Sequence, residues 1–177
     1  MATKVVFETH STTIDNELGI ATGWLPGTLS SEGRRQAARL GERRRHDEVD
    51  VVFASDLVRA VETADIAFSE TAIPVLYDWR LRECDYGELN GSAARELRVH
   101  RRQHVDEPYP GGESWREAIG RVGRFLEDLP PRWIGGRIVV IGHTATRWGL
   151  DHVLDGVRIE DLVVAEFEWQ EGWEYSL

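Results

Sequence analysis

A chain of 177 residues with 41% hydrophobic and 29% charged content has the make-up of one globular domain long enough to bury its own core. No apolar run approaches the roughly 20 residues of a membrane helix, no basic segment followed by a long apolar stretch opens the chain, and one cysteine, Cys84, excludes an internal disulfide. A net charge of -10 with pI near 5.1 argues against nucleic acid or an anionic membrane as partner, so any anion site has to be built locally. The expectation is a single cytoplasmic domain over residues 1–177.

The first element is a short buried strand, Lys4 to Glu8, that delivers Thr9-His10-Ser11-Thr12-Thr13 into a turn. In open α/β sheets, ligands bind beyond the carboxyl ends of the strands, which puts His10 at a site. Asn16 to Gly33 reads as loop, after which Ser30 or Ser31 caps a helix to about His46, with Ala37, Leu40 and Gly41 packed. Arg43-Arg44-Arg45 reads as the solvated end of that helix, where cations suit its dipole. A second strand spans Asp50 to Ala54, and Ser55 and Asp56 are positioned to cap a helix whose apolar residues Leu57, Ala60, Val61, Ala64 and Phe68 keep helical spacing. Arg59 falls in its first turn, the wrong end for a cation. Either it binds an anion together with the helix N-terminus, or it makes a surface salt bridge. Ile73 to Tyr77 is a third strand, whose Pro74 suggests an edge position or an early strand residue.

From Trp79 to Gly91 the chain is aromatic and charged without period, a short helix covers Ser92 to His104, and a loop runs to Gly112; residues 79–112 could form a small cap. Cys84, between Glu83 and Asp85, reads as a small half-buried apolar residue rather than a reactive thiol. Ser114 and Glu117 form a capping box for a helix with Ala118, Val122, Phe125, Leu126 and Leu129 inward, stopped by Pro130-Pro131. The strand Arg137 to Ile141 ends in Gly142-His143 and leads into a last helix with Leu150, Val153, Leu154 and Val157 at helical spacing. Val163, Ala165, Phe167 and Trp169 then alternate with polar residues, Glu171-Gly172 turns, and Trp173 to Leu177 returns, the pattern of an antiparallel hairpin. The tryptophans read mostly as core and cap filling.

Two histidines at two strand ends, with Arg59 and the Leu81-Arg82-Glu83 loop supplying charge, suit a phosphoryl site. At this point the chain resembles the histidine phosphatase superfamily, the phosphoglycerate-mutase-like proteins, along nearly its whole length. The residues that carry the resemblance are Thr9 to Thr13 with Asn16, Gly23-Trp24, Leu29-Ser30 with Gly33, Ser55-Asp56-Leu57 with Arg59-Ala60 and Thr63-Ala64, Leu81-Arg82-Glu83 with Tyr86-Gly87-Glu88 and Gly91, Gly111 to Ser114, and Gly142-His143.

The resemblance implies a three-layer α/β/α sandwich with a mainly parallel central sheet, no metal or other cofactor, and phosphoryl transfer through a phosphohistidine at His10. Arg59 and a protonated His143 would hold the equatorial oxygens, Glu83 would protonate the leaving oxygen, and Asn16 with the backbone near Gly23 and Trp24 would supply further donors. Glu83 would need a raised pKa for that role. Where the family pattern has Arg before the nucleophile this chain has Thr9, with Ser11 and Thr12 for its Gly and Glu. A missing guanidinium removes a bidentate contact worth about 1.5–3 kcal/mol, or about 10- to 150-fold. Arg147, one turn after His143, is a candidate substitute, although a surface arginine fits the sequence equally well.

The first functional expectation is hydrolysis of a small phosphorylated metabolite. A non-catalytic relative that binds a phosphorylated ligand, a mutase, and a related enzyme with an unusual substrate remain open; Trp24, Trp79 and Tyr86 hint at a flat group. Specificity is expected to lie in the cap and in loop 14–28. Neither nucleic acid nor membrane is expected as partner, and the terminal hairpin could pair two copies into a homodimer.

Overall fold

The computed structural model describes residues 2–129 and 131–177, so Pro130 of the expected helix stop lies outside the described residues. Strand β1 (Lys4–Thr9) leads through helix α1 (Ile14–Glu17) and the short β2 (Ile20–Ala21) into α2 (Ser31–Arg44). Next come β3 (Val51–Ala54), α3 (Val58–Phe68) and β4 (Val75–Tyr77). Then follow β5 (Ser92–Ala93), α4 (Ala94–His100), α5 (Trp115–Glu127), β6 (Arg137–Gly142), α6 (Thr144–Asp155), α7 (Ile159–Leu162) and β7 (Trp173–Ser176).

The main sheet has the order β4-β3-β6-β1-β7. β4, β3, β6 and β1 are parallel, and β7 runs antiparallel to β1 with Phe7 opposite Trp173. The pleat explains why the central strands are apolar almost throughout: successive residues point to opposite faces, and both faces are covered. Val5, Phe7, Val51, Phe53, Ile138 and Val140 meet Phe125 and Leu126 of α5 and Leu150 of α6. Their neighbours Val6, Val52, Ala54, Val139 and Ile141 meet Leu40 of α2 and Ala60, Ala64 and Phe68 of α3. This is the expected three-layer α/β/α sandwich. β4 sits at the edge, as Pro74 suggested, and is less buried than its neighbours.

Two glycines allow the close approaches that hold the layers. A Cβ on Gly33 would overlap the Thr12 carbonyl, so its absence lets the turn after β1 rest on the start of α2. A Cβ on Gly149 would stand 2.5 Å from Val122 Cβ, so α6 lies directly on α5.

Residues 79–112 pack beside the sheet ends. Cys84, Tyr86, Leu97, Val105 and Tyr109 share a core with Trp115 and Ile119 of α5, Trp148 of α6 and Ile159 of α7, and β5 pairs with β2. Cys84 is fully buried there, and burial, then Glu83 and Glu113, push its thiol pKa well up, so it is the apolar filler its neighbours suggested.

Several local expectations change. The terminal hairpin is not formed: β7 takes β1 as its antiparallel partner, and residues 163–172 are irregular. Val163 is drawn into the core beside α7, while Phe167 and Trp169 stay 42% and 61% exposed, so the alternation follows a loop rather than a pleat. Arg43 and Arg44 are not a solvated helix end, because both reach the buried carboxylate of Glu8 on β1. α3 begins after Leu57; Ser55 Oγ accepts from Leu57 N, and the Asp56 carboxylate is drawn to Arg82. Only part of the 92–104 stretch is α-helical, opening as β5 and ending in a 3-10 turn.

Candidate active site

β1 and β6 are adjacent and parallel, so their carboxyl ends fall side by side, with Thr9 opposite Gly142. That register alone brings His10 and His143 together. His10 N donates to Gly142 O at 2.9 Å, and the two imidazoles lie with ring centroids 5.0 Å apart. Ser11 N donates to Thr63 Oγ1 at 3.0 Å, and Thr63 Oγ1 donates to Arg59 O at 2.7 Å, so α3 is tied to the His10 turn.

The His10 ring has a defined sense. Nδ1 lies 2.8 Å from Ser11 O, an acceptor only, so Nδ1 carries the hydrogen and Nε2 keeps its lone pair. Burial first, and the Arg59 charge second, lower its pKa to about 3 against the opposing pull of the Ser11 carbonyl. His143 is 1% exposed, and neither ring nitrogen has a hydrogen-bond partner among the described residues. Burial, then Arg59, then His10, hold its pKa well below the usual histidine value. Without an anion in the cleft, the His143 ring therefore favours its neutral form.

Arg59 is 3% exposed and donates from Nη2 to Gly23 O at 2.8 Å and from Nη1 to Leu25 O at 3.4 Å. Burial lowers its pKa, while Glu83, Tyr86 and Asp15 act the other way. It is a buried cation held by carbonyls, not the surface salt bridge that the sequence left open.

Glu83 Oε1 accepts from Cys84 N at 2.9 Å and from Ala145 N in the first turn of α6 at 3.1 Å. Oε2 has no hydrogen-bond partner among the described residues. The main chain at this residue is fixed as firmly: Glu83 O accepts from Trp24 Nε1 and from Arg121 Nη2, both at 2.7 Å. Arg121 also donates to Arg80 O, Arg82 O and both oxygens of Glu113. Thr146 Oγ1 accepts from His143 N and donates to Leu81 O, linking the two segments.

A cleft of about 560 Å³ is lined by Thr9, His10, Asn16, Glu83 and His143. Asn16 reaches it from α1, where its side chain also accepts from Thr13 N. Gly23 and Trp24 stand behind it, as supports for Arg59 and Glu83; the Trp24 ring is covered by Arg82, 4.6 Å from its centroid. Arg147 does not enter. Its guanidinium lies 4.5 Å from the Trp173 ring centroid, near Phe167, with Nε 3.5 Å from Asp151, because its position on α6 faces β7. Beyond Glu83, the segment 79–112 contributes nothing to the lining. Further lining comes from α2, through Gln36, Arg39 and Arg43, and from Phe167, Trp169 and Glu171, while Asn16 is the residue of loop 14–28 that reaches it. Arg121 escaped the sequence reading although it carries a signal: it stands at helical spacing among the inward residues of α5, where a charge is out of place.

A family model described as histidine phosphatase superfamily (branch 1) matches residues 6–166. Phosphoglycerate mutase 1 of Saccharomyces cerevisiae is 40% identical over an alignment covering 90% of this chain and 81% of that protein. A mycobacterial glucosyl-3-phosphoglycerate phosphatase superposes with a TM-score of 0.80 at 25% identity, covering 93% of this chain and 88% of that one. A putative alpha-ribazole-5'-P phosphatase from Escherichia coli shares the fold, with a TM-score of 0.81 at 24% identity over 92% of this chain and 84% of its own. The match thus runs from the middle of β1 to beyond α7, across both strand ends that bring the histidines together, and the chain belongs to the histidine phosphatase superfamily.

Proposed function

We propose that the protein is a metal-independent phosphomonoesterase working through a phosphohistidine. The observation that carries this reading is the tautomer of His10, whose Nδ1–H is engaged by Ser11 O so that Nε2 is left as a nucleophile beside His143 and Glu83. Nε2 attacks phosphorus, the N–P bond forms as the bond to the leaving oxygen breaks, and Glu83 supplies the proton that oxygen needs. Water then attacks the phosphohistidine while Glu83 accepts its proton; the N–P bond breaks, its electron pair returns to Nε2, and orthophosphate leaves.

In this scheme His143, on the cleft wall, meets the phosphoryl oxygens, and Arg59, buried outside the lining, contributes its charge. Such a transition state asks for charge stabilisation and positioning above all, which a buried guanidinium and an otherwise unpartnered imidazole supply. Hydrolysis is favoured over mutase action because Trp169 and Arg39, which line the same cleft, are largely exposed, and a mutase must keep water from its intermediate. A small phosphorylated substrate and a cytoplasmic setting, with neither nucleic acid nor membrane as partner, go with this reading. A homodimer would have the exposed edge of β7 available to it.

The test is turnover of an aryl phosphate across about pH 4 to 9 by the wild type and by His10→Ala, with chelator present throughout. Acid-labile phosphate on the wild type and loss of both label and turnover in the variant are expected. Turnover that survives in His10→Ala, or that chelator abolishes, overturns the scheme; phosphate binding without turnover points to a binding protein.

A further inference from the structure

The cleft has walls beyond the candidate catalytic residues. Gln36, Arg39 and Arg43, on one face of α2, are part of them, as are Phe167 and Trp169. At about 560 Å³ the whole is in the range of pockets that enclose a ligand the size of a nucleotide, and a phosphorylated three-carbon acid would leave most of it unfilled.

The chemistry of these walls does not suit a second phosphate. Arg43 is held against both oxygens of Glu8 at 3.2 and 3.1 Å, with Glu171 3.8 Å away. Arg39 is paired with Glu32 at 2.7 Å. What these walls do offer is a flat apolar face and hydrogen-bonding edges. Trp169 is 61% exposed and belongs to none of the hydrophobic clusters, while Phe167 beside it is braced by Trp173 at a centroid distance of 5.9 Å. An indole left uncovered on the wall of a reactive cleft is a stacking surface. Gln36 Oε1 accepts from Thr12 N at 2.9 Å, which turns the amide so that Nε2 is left as a donor, and Glu171 adds an acceptor.

We propose that this part of the cleft receives a planar heteroaromatic ring on the leaving group, making the substrate a nucleotide-type phosphomonoester. The ring lies on Trp169 and its polar edge meets Gln36. The phosphate end of this assignment rests on the function proposed above; the ring end rests on α2 and residues 167–169 alone.

The experiment compares a purine nucleoside 5'-monophosphate with ribose 5-phosphate, which carries the same phosphate and sugar without the ring. kcat/KM is measured for both on the wild type, Trp169→Ala and Trp169→Phe, and binding of both is measured by calorimetry on His10→Ala with and without Trp169→Ala. The nucleotide is expected to be preferred about tenfold or more, with the preference collapsing in Trp169→Ala and largely kept in Trp169→Phe. Equal handling of the two ligands, or a preference that survives Trp169→Ala, overturns the proposal. Turnover without preference removes the ring site and leaves the phosphomonoesterase standing. Preferential binding without turnover does the reverse, and no binding of either ligand removes both.

Discussion

Replacing Arg121 by methionine tests how the main chain that carries Glu83 is held. The guanidinium is 1% exposed and donates to three backbone carbonyls as well as to Glu113, whose side chain is 19% exposed. Methionine fills much of the space but leaves the Glu113 charge and the Arg80 and Arg82 carbonyls without that donor, while Glu83 O keeps Trp24 Nε1. Removing one partner of a buried pair costs about 3–5 kcal/mol, because the other charge stays behind. Water can reach part of Glu113, so the expected loss is near the lower end, about 3 kcal/mol, read as a lower urea midpoint at constant m. Adding Glu113→Gln removes the stranded charge and should restore about 1 kcal/mol or more.

The same substitution should act on chemistry through Glu83. A loosened Glu83 backbone would misplace the proton donor of the proposed scheme, which matters in proportion to how much the leaving oxygen needs a proton. For Arg121→Met, kcat for an alkyl phosphate should fall by about tenfold or more, while an aryl phosphate with a good leaving group loses much less and KM moves little. A merely structural arginine would lower both substrates alike. A stability loss under about 1 kcal/mol, or equal losses for the two substrates, refutes the reasoning.

Thr9 lines the cleft beside His10, and Thr9→Arg should tighten inhibition by orthophosphate about tenfold or more by adding a bidentate donor; an unchanged inhibition constant dismisses the missing charge as a determinant. Both site histidines have folded-state pKa values below the ordinary one, so as pH falls below about 6.5 the unfolded chain takes up protons first and stability declines, for His10 down to about pH 3. His10→Ala should therefore flatten the dependence of unfolding free energy on pH between about 6 and 4, by up to about 1.4 kcal/mol per pH unit, and an identical slope would contradict the assignment. Gly149→Ala places a methyl 2.5 Å from Val122 and should cost about 1–3 kcal/mol by forcing α6 off α5; a neutral result in thermal unfolding would mean that the helix contact yields freely.

Much of the fold was legible because its signals are local. The apolar runs of β1, β3 and β6, the Ser114 and Glu117 box, and the spacing of α3 and α6 each follow from neighbours in sequence. The juxtaposition of His10 and His143 needed only the rule that parallel strands share a carboxyl end. What failed depends on partners far along the chain. Arg43 and Arg44 look like a wet helix end until Glu8, on β1, proves to lie beneath them. Arg147 is near His143 in sequence, yet Asp151 and the Trp173 ring hold it on the other side of α6. Residues 163–169 alternate like a strand, but β7 already occupies the free edge of β1, so no pleat is available for them.

These diverted arginines explain the electrostatics of the site. Arg43 and Arg44 share Glu8, with Glu171 and Asp47 as further partners, and Arg82 pairs with Asp56, Arg121 with Glu113 and Arg147 with Asp151, each within 4 Å. Arg59 is the exception: a buried cation with only carbonyls for partners and no carboxylate in ion-pair contact among the described residues. Burial first, and the Arg59 charge second, depress both histidines. Under the function proposed above, a phosphate ester of charge about -1.5 to -2 would oppose the Arg59 charge and favour a proton on His143. In that scheme a neutral His10 for attack and a cationic His143 for holding phosphate need not coexist beforehand, and Ser11 O keeps His10 in the tautomer with Nε2 free.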